Sequence, residues 1–318
     1  MSSPPYTTDQ LNLYLERIQY PEPANATRLQ HAQESIATNA LAALTELQRR
    51  HLGAIPWGNS ALHYSQHKAI SIHPTAVFDK LVRRRLDGYC MENTNLFYGV
   101  LRSLGYTVYP TGGRVCEAAA GAVRNPGKEK FFALGHMILI VTIDGKKYMT
   151  DVGFGNNGPT SPLLLEEDVV STCIAPSESR LIRDSLPESV DKTQKVWIYQ
   201  IRYTPDSEWL PHYAFSEVEF LPQDFGVMNY ATSTGRNSWF TQSLVCARVI
   251  LDEETGTQPQ GLFVLVGQEV KKRLQGQTEV VATFETEDDR VAGLGKWFGL
   301  HFRDDEVEGI QGLVSQIK

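Results

Sequence analysis

Cysteine is scarce and widely spaced: Cys90, Cys116, Cys173 and Cys246 are the only four in 318 residues. With no C-x-x-C pair among them, the pattern argues against a structural zinc site and against a disulfide scaffold. Long apolar runs are also missing, and none approaches the roughly 18 residues that a membrane span needs. The opening stretch MSSPPYTTDQLN has neither a basic head nor an apolar core, so no targeting segment is expected there. Positive charge is thin as well. There are 30 basic residues against 37 acidic ones, a net charge of −7, and no Lys/Arg tract extends beyond Arg83, Arg84 and Arg85. That balance argues against an extended nucleic-acid interface. These absences lead to the expectation of a cytoplasmic protein with no membrane and no nucleic-acid partner. His63 and His67 stand i, i+4, which would serve a metal only on a helix with acidic or thiol ligands converging on it; no metal is expected.

What is present is ordinary globular material, 42% hydrophobic and 21% charged, enough for about two domains and a smaller third. The first hundred residues carry helical periodicity. Thr8 is placed to cap a helix with Leu11, Tyr14, Leu15 and Ile18 on one face, and Thr27 with Gln30 opens a long Ala-rich helix ending near His51 and Gly53. A third helix starts at His73 and Pro74, and a fourth runs from Cys90 to Leu104 before Gly105. From Tyr106 the period falls to two, with Asp144 and Gly145 as a hairpin turn between HMILIVTI and KKYMTD. The segments Glu117 to Lys130 and Ser171 to Thr193 are polar and are expected as mobile loops. After Phe225 come further strands and a helix around Val291, Leu294, Trp297 and Phe298. The fold class expected is α+β: a helical bundle over residues 1–105, an antiparallel β-barrel over 106–225, and a mixed α/β unit over 226–318.

Within this plan, the block RRRLDGYCMENTNLFYG places Cys90 at a helix start, where free amides and the helix dipole favour a thiolate. A thiol nucleophile needs a base, and the base needs an orienting partner. His136 begins one strand of the Asp144–Gly145 hairpin and Asp151 ends the other, so antiparallel pairing brings the two together. Singly, each residue has a plain structural reading as a packed thiol, a hydrogen-bonded histidine or a turn aspartate. Jointly they form a candidate Cys-His-Asp triad, which a cysteine peptidase or a transglutaminase-like enzyme would also use.

Several ordered motifs resemble the arylamine N-acetyltransferases: YLERIQYP, HLGAIPWGN, RRRLDGYCMENTNLFYGVLRSLGY, TGGRV, GHMILIVTIDGKKYMTDVGFG and MNYATSTGRNSWF. The resemblance covers nearly the whole length. It implies the same three-part fold, with the third part acting as a lid, and a papain-like triad of Cys90 as acylated nucleophile, His136 as base and Asp151 as orienter. It further implies acyl-CoA as co-substrate, no permanently bound cofactor, and a small aromatic amine as acceptor. By the same resemblance Gly112 and Gly113 lie beside the active site and let an acyl group or CoA approach the backbone. Val152, Gly153 and Phe154 line the pocket, and Phe131 and Phe132 offer the acceptor a flat surface. The stretch with Asn229, Thr234, Arg236 and Ser238 contacts CoA; as residues alone it is equally a polar loop. Three departures from the family pattern stand out. Arg236 takes the place of a common proline, Gly58 that of a common acidic residue, and Leu86-Asp87 that of Arg-Gly. Some members use malonyl-CoA in place of acetyl-CoA; Arg236 is the candidate to meet the extra carboxylate and Arg114 a weaker one.

Overall fold

The computed structural model describes residues 6–318; residues 1–5, part of the opening stretch considered above, lie outside the described residues. Side-chain caps start the first helices. Thr7 and Gln10 form a reciprocal capping box ahead of α1 (Thr8–Arg17), one residue earlier than the expected cap at Thr8. Thr27 and Gln30 do the same for α2 (Arg28–Thr38). The long Ala-rich helix expected to follow is in fact two. Asn39 leaves the helical region, and its side chain accepts a hydrogen bond from the Ala42 amide at 3.0 Å, capping α3 (Ala40–Ala54). Next comes a two-residue strand that helical periodicity did not predict, β1 (Trp57–Gly58). After α4 (Pro74–Phe78) and a wide helical turn at Asp79–Arg83, α5 (Cys90–Ser103) runs until Gly105 takes a φ of +92°.

From Tyr106 onward, alternation produces eight antiparallel strands. They are β2 (Thr107–Cys116), β3 (Phe131–Ile143), β4 (Lys146–Thr150), β5 (Leu163–Leu164), β6 (Ser171–Thr172), β7 (Glu178–Asp184), β8 (Val196–Arg202) and β9 (Leu210–Phe215). Their order in the sheet is β5-β4-β3-β2-β9-β8-β7-β6. Just past β5, Asp168 N donates to Leu181 O on β7 at 2.9 Å, so the two ends of the sheet meet and a barrel nearly closes. The segment from Ser171 to Thr193, expected as a loop, holds β6 and β7. Ser179 and Leu181 face inward there, an alternation hidden among charged neighbours. The β3–β4 turn is as the dipeptide predicts, with positive φ at both Asp144 and Gly145. β3 is covered on both faces. Met137, Leu139 and Val141 join the helical core with Phe97 and Leu101, while Ile138 and Ile140 face the barrel interior with Tyr199 and Tyr213. That double burial seats β3 against α5.

Beyond the barrel, α6 (Pro222–Thr234) and α7 (Trp239–Gln242) replace what sequence alone left as a polar loop, and α6 straddles residue 225. A second antiparallel sheet follows in β10 (Val245–Leu251), β11 (Pro259–Val266), β12 (Glu269–Leu274) and β13 (Gln277–Thr283), packed against α8 (Glu287–Phe298) through Leu294 and Phe298. Its fifth strand is β1, paired antiparallel with β10 through Trp57 with Ala247 and Gly58 with Cys246. A segment from the first sixty residues thus forms the edge of the C-terminal sheet. Among the described residues no helix is long and apolar enough to cross a membrane.

Candidate active site

Cys90 is the first residue of α5, and the turn that delivers it is held from several sides. The Glu92 carboxylate accepts from the Tyr89 amide at 3.2 Å and pairs with Lys80 at 2.7 Å. Asn93 Nδ2 donates to the Gly88 and Pro56 carbonyls, and Asn93 Oδ1 meets His51 Nε2 at 3.0 Å. The Tyr89 hydroxyl donates to Asn229 on α6. The Cys90 side chain is buried, with Sγ 3.5 Å from the Gly135 carbonyl, to which the thiol donates. A thiol at a helix start, bonded to the carbonyl of the residue before His136, sits where nucleophilic sulfur chemistry needs it.

His136 Nε2 lies 2.8 Å from Asp151 Oδ2, and Asp151 Oδ1 accepts from the Gly153 amide at 2.7 Å. Burial alone would lower the imidazole pKa. The Asp151 charge and hydrogen bond, with a smaller contribution from Cys90, outweigh it and raise His136 to about 10. Since Asp151 takes Nε2, Nδ1 is the nitrogen left for the sulfur. The ring is clamped by Phe154 and Tyr213, with centroids 5.3 and 5.0 Å away. The hairpin register differs from simple symmetry. Ile143 faces Lys146 and Leu139 faces Thr150, so continuing the same register would set Asp151 across from Ile138. The carboxylate reaches His136 diagonally, along the same barrel-facing row of β3.

The arrangement has counterparts. The family model described as N-acetyltransferase matches residues 40–307. The chain belongs to the arylamine N-acetyltransferase family. It is 35% identical over 319 residues to N-malonyltransferase FDB2 of Gibberella moniliformis, covering 96% of this chain and 92% of the relative. Against arylamine N-acetyltransferase 1 of Homo sapiens the identity is 26% over 269 residues, covering 81% of each. Among solved structures, the arylamine N-acetyltransferase of Mycobacterium marinum in complex with CoA matches with a TM-score of 0.72 and 28% identity, over 95% of this chain and 99% of that one. This protein is therefore an acyl-CoA-dependent N-acyltransferase, with acyl-CoA as co-substrate.

The other residues singled out in the sequence of this N-acyltransferase fall into two groups. Gly153 and Phe154 are at the centre, Phe154 against His136 and Gly153 against the start of α5, and Val152 beside them is buried in the helical core. Phe131 is spent elsewhere, packed with Cys116, Ile198 and Ala214, whereas Phe132 is 47% exposed. Gly113 is paired with His136 across β2 and β3, but a β-carbon there would meet Ile138, and one on Gly112 would overlap the Phe220 ring. The close approach these glycines permit is to the chain's own side chains. Asn229 has both amide groups engaged, with Tyr89 and with the Ile70 carbonyl. Thr234 Oγ1 donates back to the Tyr230 carbonyl, as helical threonines do. Arg236 and Ser238 occupy the turn between α6 and α7, and among the described residues Arg236 has no ion-pair partner. His63 is on no helix; Nδ1 meets Ser315 Oγ and Nε2 meets the Phe240 carbonyl and Asn59, so it serves as a strut.

Sequence reasoning missed an aromatic wall that runs to Tyr89, the residue before Cys90. Trp57 stacks on Trp239 at 6.5 Å and meets Phe240 edge-on at 5.7 Å, and Phe240 in turn meets Tyr89 at 5.6 Å. Its sequence signal was only that Trp57 falls inside the HLGAIPWGN block and that Trp239 and Phe240 close the MNYATSTGRNSWF block. Gly153 carries a test of how tightly the centre is packed. An added β-carbon would lie 2.7 Å from Cys90 Cα, 2.8 Å from the Cys90 carbonyl oxygen and 2.6 Å from Thr94 Oγ1. Two of these atoms are backbone, so the start of α5 must move. The Gly153→Ala enzyme is expected to lose about 1–3 kcal/mol of stability and at least tenfold in kcat/KM, as thermal unfolding and CoA-release assays will check; full activity at an unchanged Tm would refute the contact.

Proposed function

We propose that the enzyme acts by a ping-pong mechanism through an acyl-Cys90, with His136 moving protons and Asp151 holding the imidazole. The observation that supports it is the buried His136–Asp151 pair at 2.8 Å, beside a buried Cys90 whose sulfur meets the carbonyl of Gly135, the residue before His136. An imidazole that keeps its proton at neutral pH is the ion-pair partner a thiolate requires. In the first half-reaction the Cys90 sulfur bonds to the acyl carbon, the bond to the CoA sulfur breaks, and CoA leaves as its thiol with the imidazolium proton. In the second, the nitrogen of an arylamine, arylhydrazine or arylhydroxylamine attacks the thioester. His136 takes the nitrogen's proton as the Cys90 sulfur departs. The Cys90 amide, among the free N–H groups at the start of α5, supports the oxyanion. The thioester's energy matches the donor's, so the acyl group stays reactive toward a weakly basic amine.

In this reading residues 1–105 carry the nucleophile, 106–225 the base and its partner, and 226–318 form a lid whose β10 edge is stitched to β1. Thr234, Arg236 and Ser238 hold CoA, while Phe154 and the exposed Phe132 face the acceptor, with Val152 and Gly153 packed behind them against the helical core and the start of α5. Four unpaired cysteines suit a reducing, cytoplasmic setting. The donor is malonyl-CoA, a choice supported by the likeness to N-malonyltransferase FDB2 and by the guanidinium of Arg236, which has no ion-pair partner among the described residues and suits a second carboxylate. Intact mass after mixing with malonyl-CoA or acetyl-CoA, without acceptor, tests both points. A malonyl increment on Cys90 is expected; an acetyl increment alone would reject the donor, and no adduct with either would reject the mechanism. The Arg236→Gln enzyme should lose about tenfold in kcat/KM with malonyl-CoA and little with acetyl-CoA; equal loss with both would reject Arg236 as the carboxylate partner.

A further inference from the structure

Two of the departures noted in the sequence, Gly58 and Asp87, touch each other. A β-carbon built on Gly58 would overlap the Asp87 carboxylate and come within 2.9 Å of the Val245 carbonyl oxygen. Asp87 is fully buried, and among the described residues it has no salt-bridge partner. Its two oxygens are instead taken by Ser60: Oδ2 accepts from the Ser60 amide at 3.1 Å and Oδ1 from the Ser60 hydroxyl. Around this contact the two segments are laced by backbone. Gly58 N donates to Gly88 O at 3.0 Å, Gly88 N donates to Pro56 O at 3.3 Å, and Trp57 bridges Gly88 in parallel. One side of the lacing is the aromatic wall at Trp57, and the other ends two residues later at Cys90.

A buried carboxylate with no cation is costly unless its hydrogen bonds are rigidly supplied. Here they come from the segment that must stay in register with the nucleophile's turn. We propose that Asp87 is a positioning residue that locks the Trp57–Ser60 segment to the turn delivering Cys90, and that residue 58 is glycine because the Asp87 carboxylate fills the space of its side chain. The two departures are then one exchange: this chain carries its buried acid on the Cys90 turn and leaves room for it on β1. The proposal rests on Cys90 being the nucleophile, and it assigns Asp87 no contact with substrate.

The test is a single-turnover measurement of CoA release from acetyl-CoA and from malonyl-CoA, without acceptor, on the full chain. The amplitude counts competent molecules, and the rate constant reports how Cys90 is placed. The isosteric Asp87→Asn enzyme is expected to keep an amplitude near that of the parent while its rate constant falls about tenfold. A fall in amplitude or Tm with an unchanged rate constant would make Asp87 merely structural and overturn the proposal. Gly58→Ala should also slow release about tenfold or more. In the Asp87→Gly background, where the carboxylate is gone and only the Val245 contact remains, the same alanine should cost several-fold less; equal cost in both backgrounds would overturn the packing half of the inference. A Cys90→Ala control separates the underlying reading. If it still formed the acyl adduct, the nucleophile assignment would fall, whereas an inert control beside a fast Asp87→Asn enzyme would remove the positioning role alone.

Discussion

The Cys90→Ala enzyme will fold and will take no acyl group from acyl-CoA, with turnover falling by roughly a million-fold, the scale seen when a covalent nucleophile is deleted. Removing one buried sulfur leaves a small void that costs on the order of 1 kcal/mol, so the loss will not trace to unfolding. Specificity for this thiol follows from its three companions. Burial raises Cys116 and Cys173, and holds Cys246 well above the ordinary thiol range, leaving all three poor nucleophiles. A Cys116→Ala enzyme should therefore acylate as the parent does. Peptide mapping of the acylated protein will decide the matter: an adduct on any cysteine other than Cys90 sinks the assignment.

Asp151→Asn should cost about ten-thousandfold in kcat, the penalty of an imidazole left without its orienting charge. Burial of His136 acts against its proton and Asp151 acts for it, so without the carboxylate the ring becomes neutral and the ion pair with the sulfur is lost. The same residue governs a pH dependence of stability. His136 is raised from an ordinary value of 6.5 to about 10 in the folded protein, so the unfolded chain releases this proton first as pH rises. Its contribution is fully present below about pH 6.5 and is lost progressively as pH climbs through about 10. Chemical denaturation of the parent should show stability falling across that window, and the Asp151→Asn enzyme should show a flatter profile there. A parent profile as flat as the variant's would contradict the charge assignment for His136.

Much of this site was legible from local rules. The helix start at Cys90, the Asp144–Gly145 turn and the joining of His136 to Asp151 each rest on a few adjacent residues and a fixed geometry. What escaped needed partners far along the chain. Asn39 splits a helix that the surrounding alanines favour, because its side chain caps better than it continues. The two-residue β1 has no periodicity of its own and exists through β10. The segment from Met228 to Phe240 is rich in Ser, Thr and Asn, which read as a loop, yet their side chains bond back to helix carbonyls or across to Tyr89. The hairpin argument reached the right pair through a register two residues from the observed one, because a diagonal neighbour serves a long side chain as well as a direct one.

The pairing of β1 with β10 also sets when the enzyme can first work. Asn59 Oδ1 accepts from Val245 N at 2.9 Å across 186 positions of chain, and contacts of such separation close late in folding because their loop entropy is paid before they return anything. Cys90 leaves the ribosome with its helix and its base long before the strand that braces Trp57 exists. A nascent chain halted before residue 245 would hold Cys90, His136 and Asp151 together with an unbraced wall. Activity should therefore arrive late in synthesis and in a single step, once β10 has paired with β1.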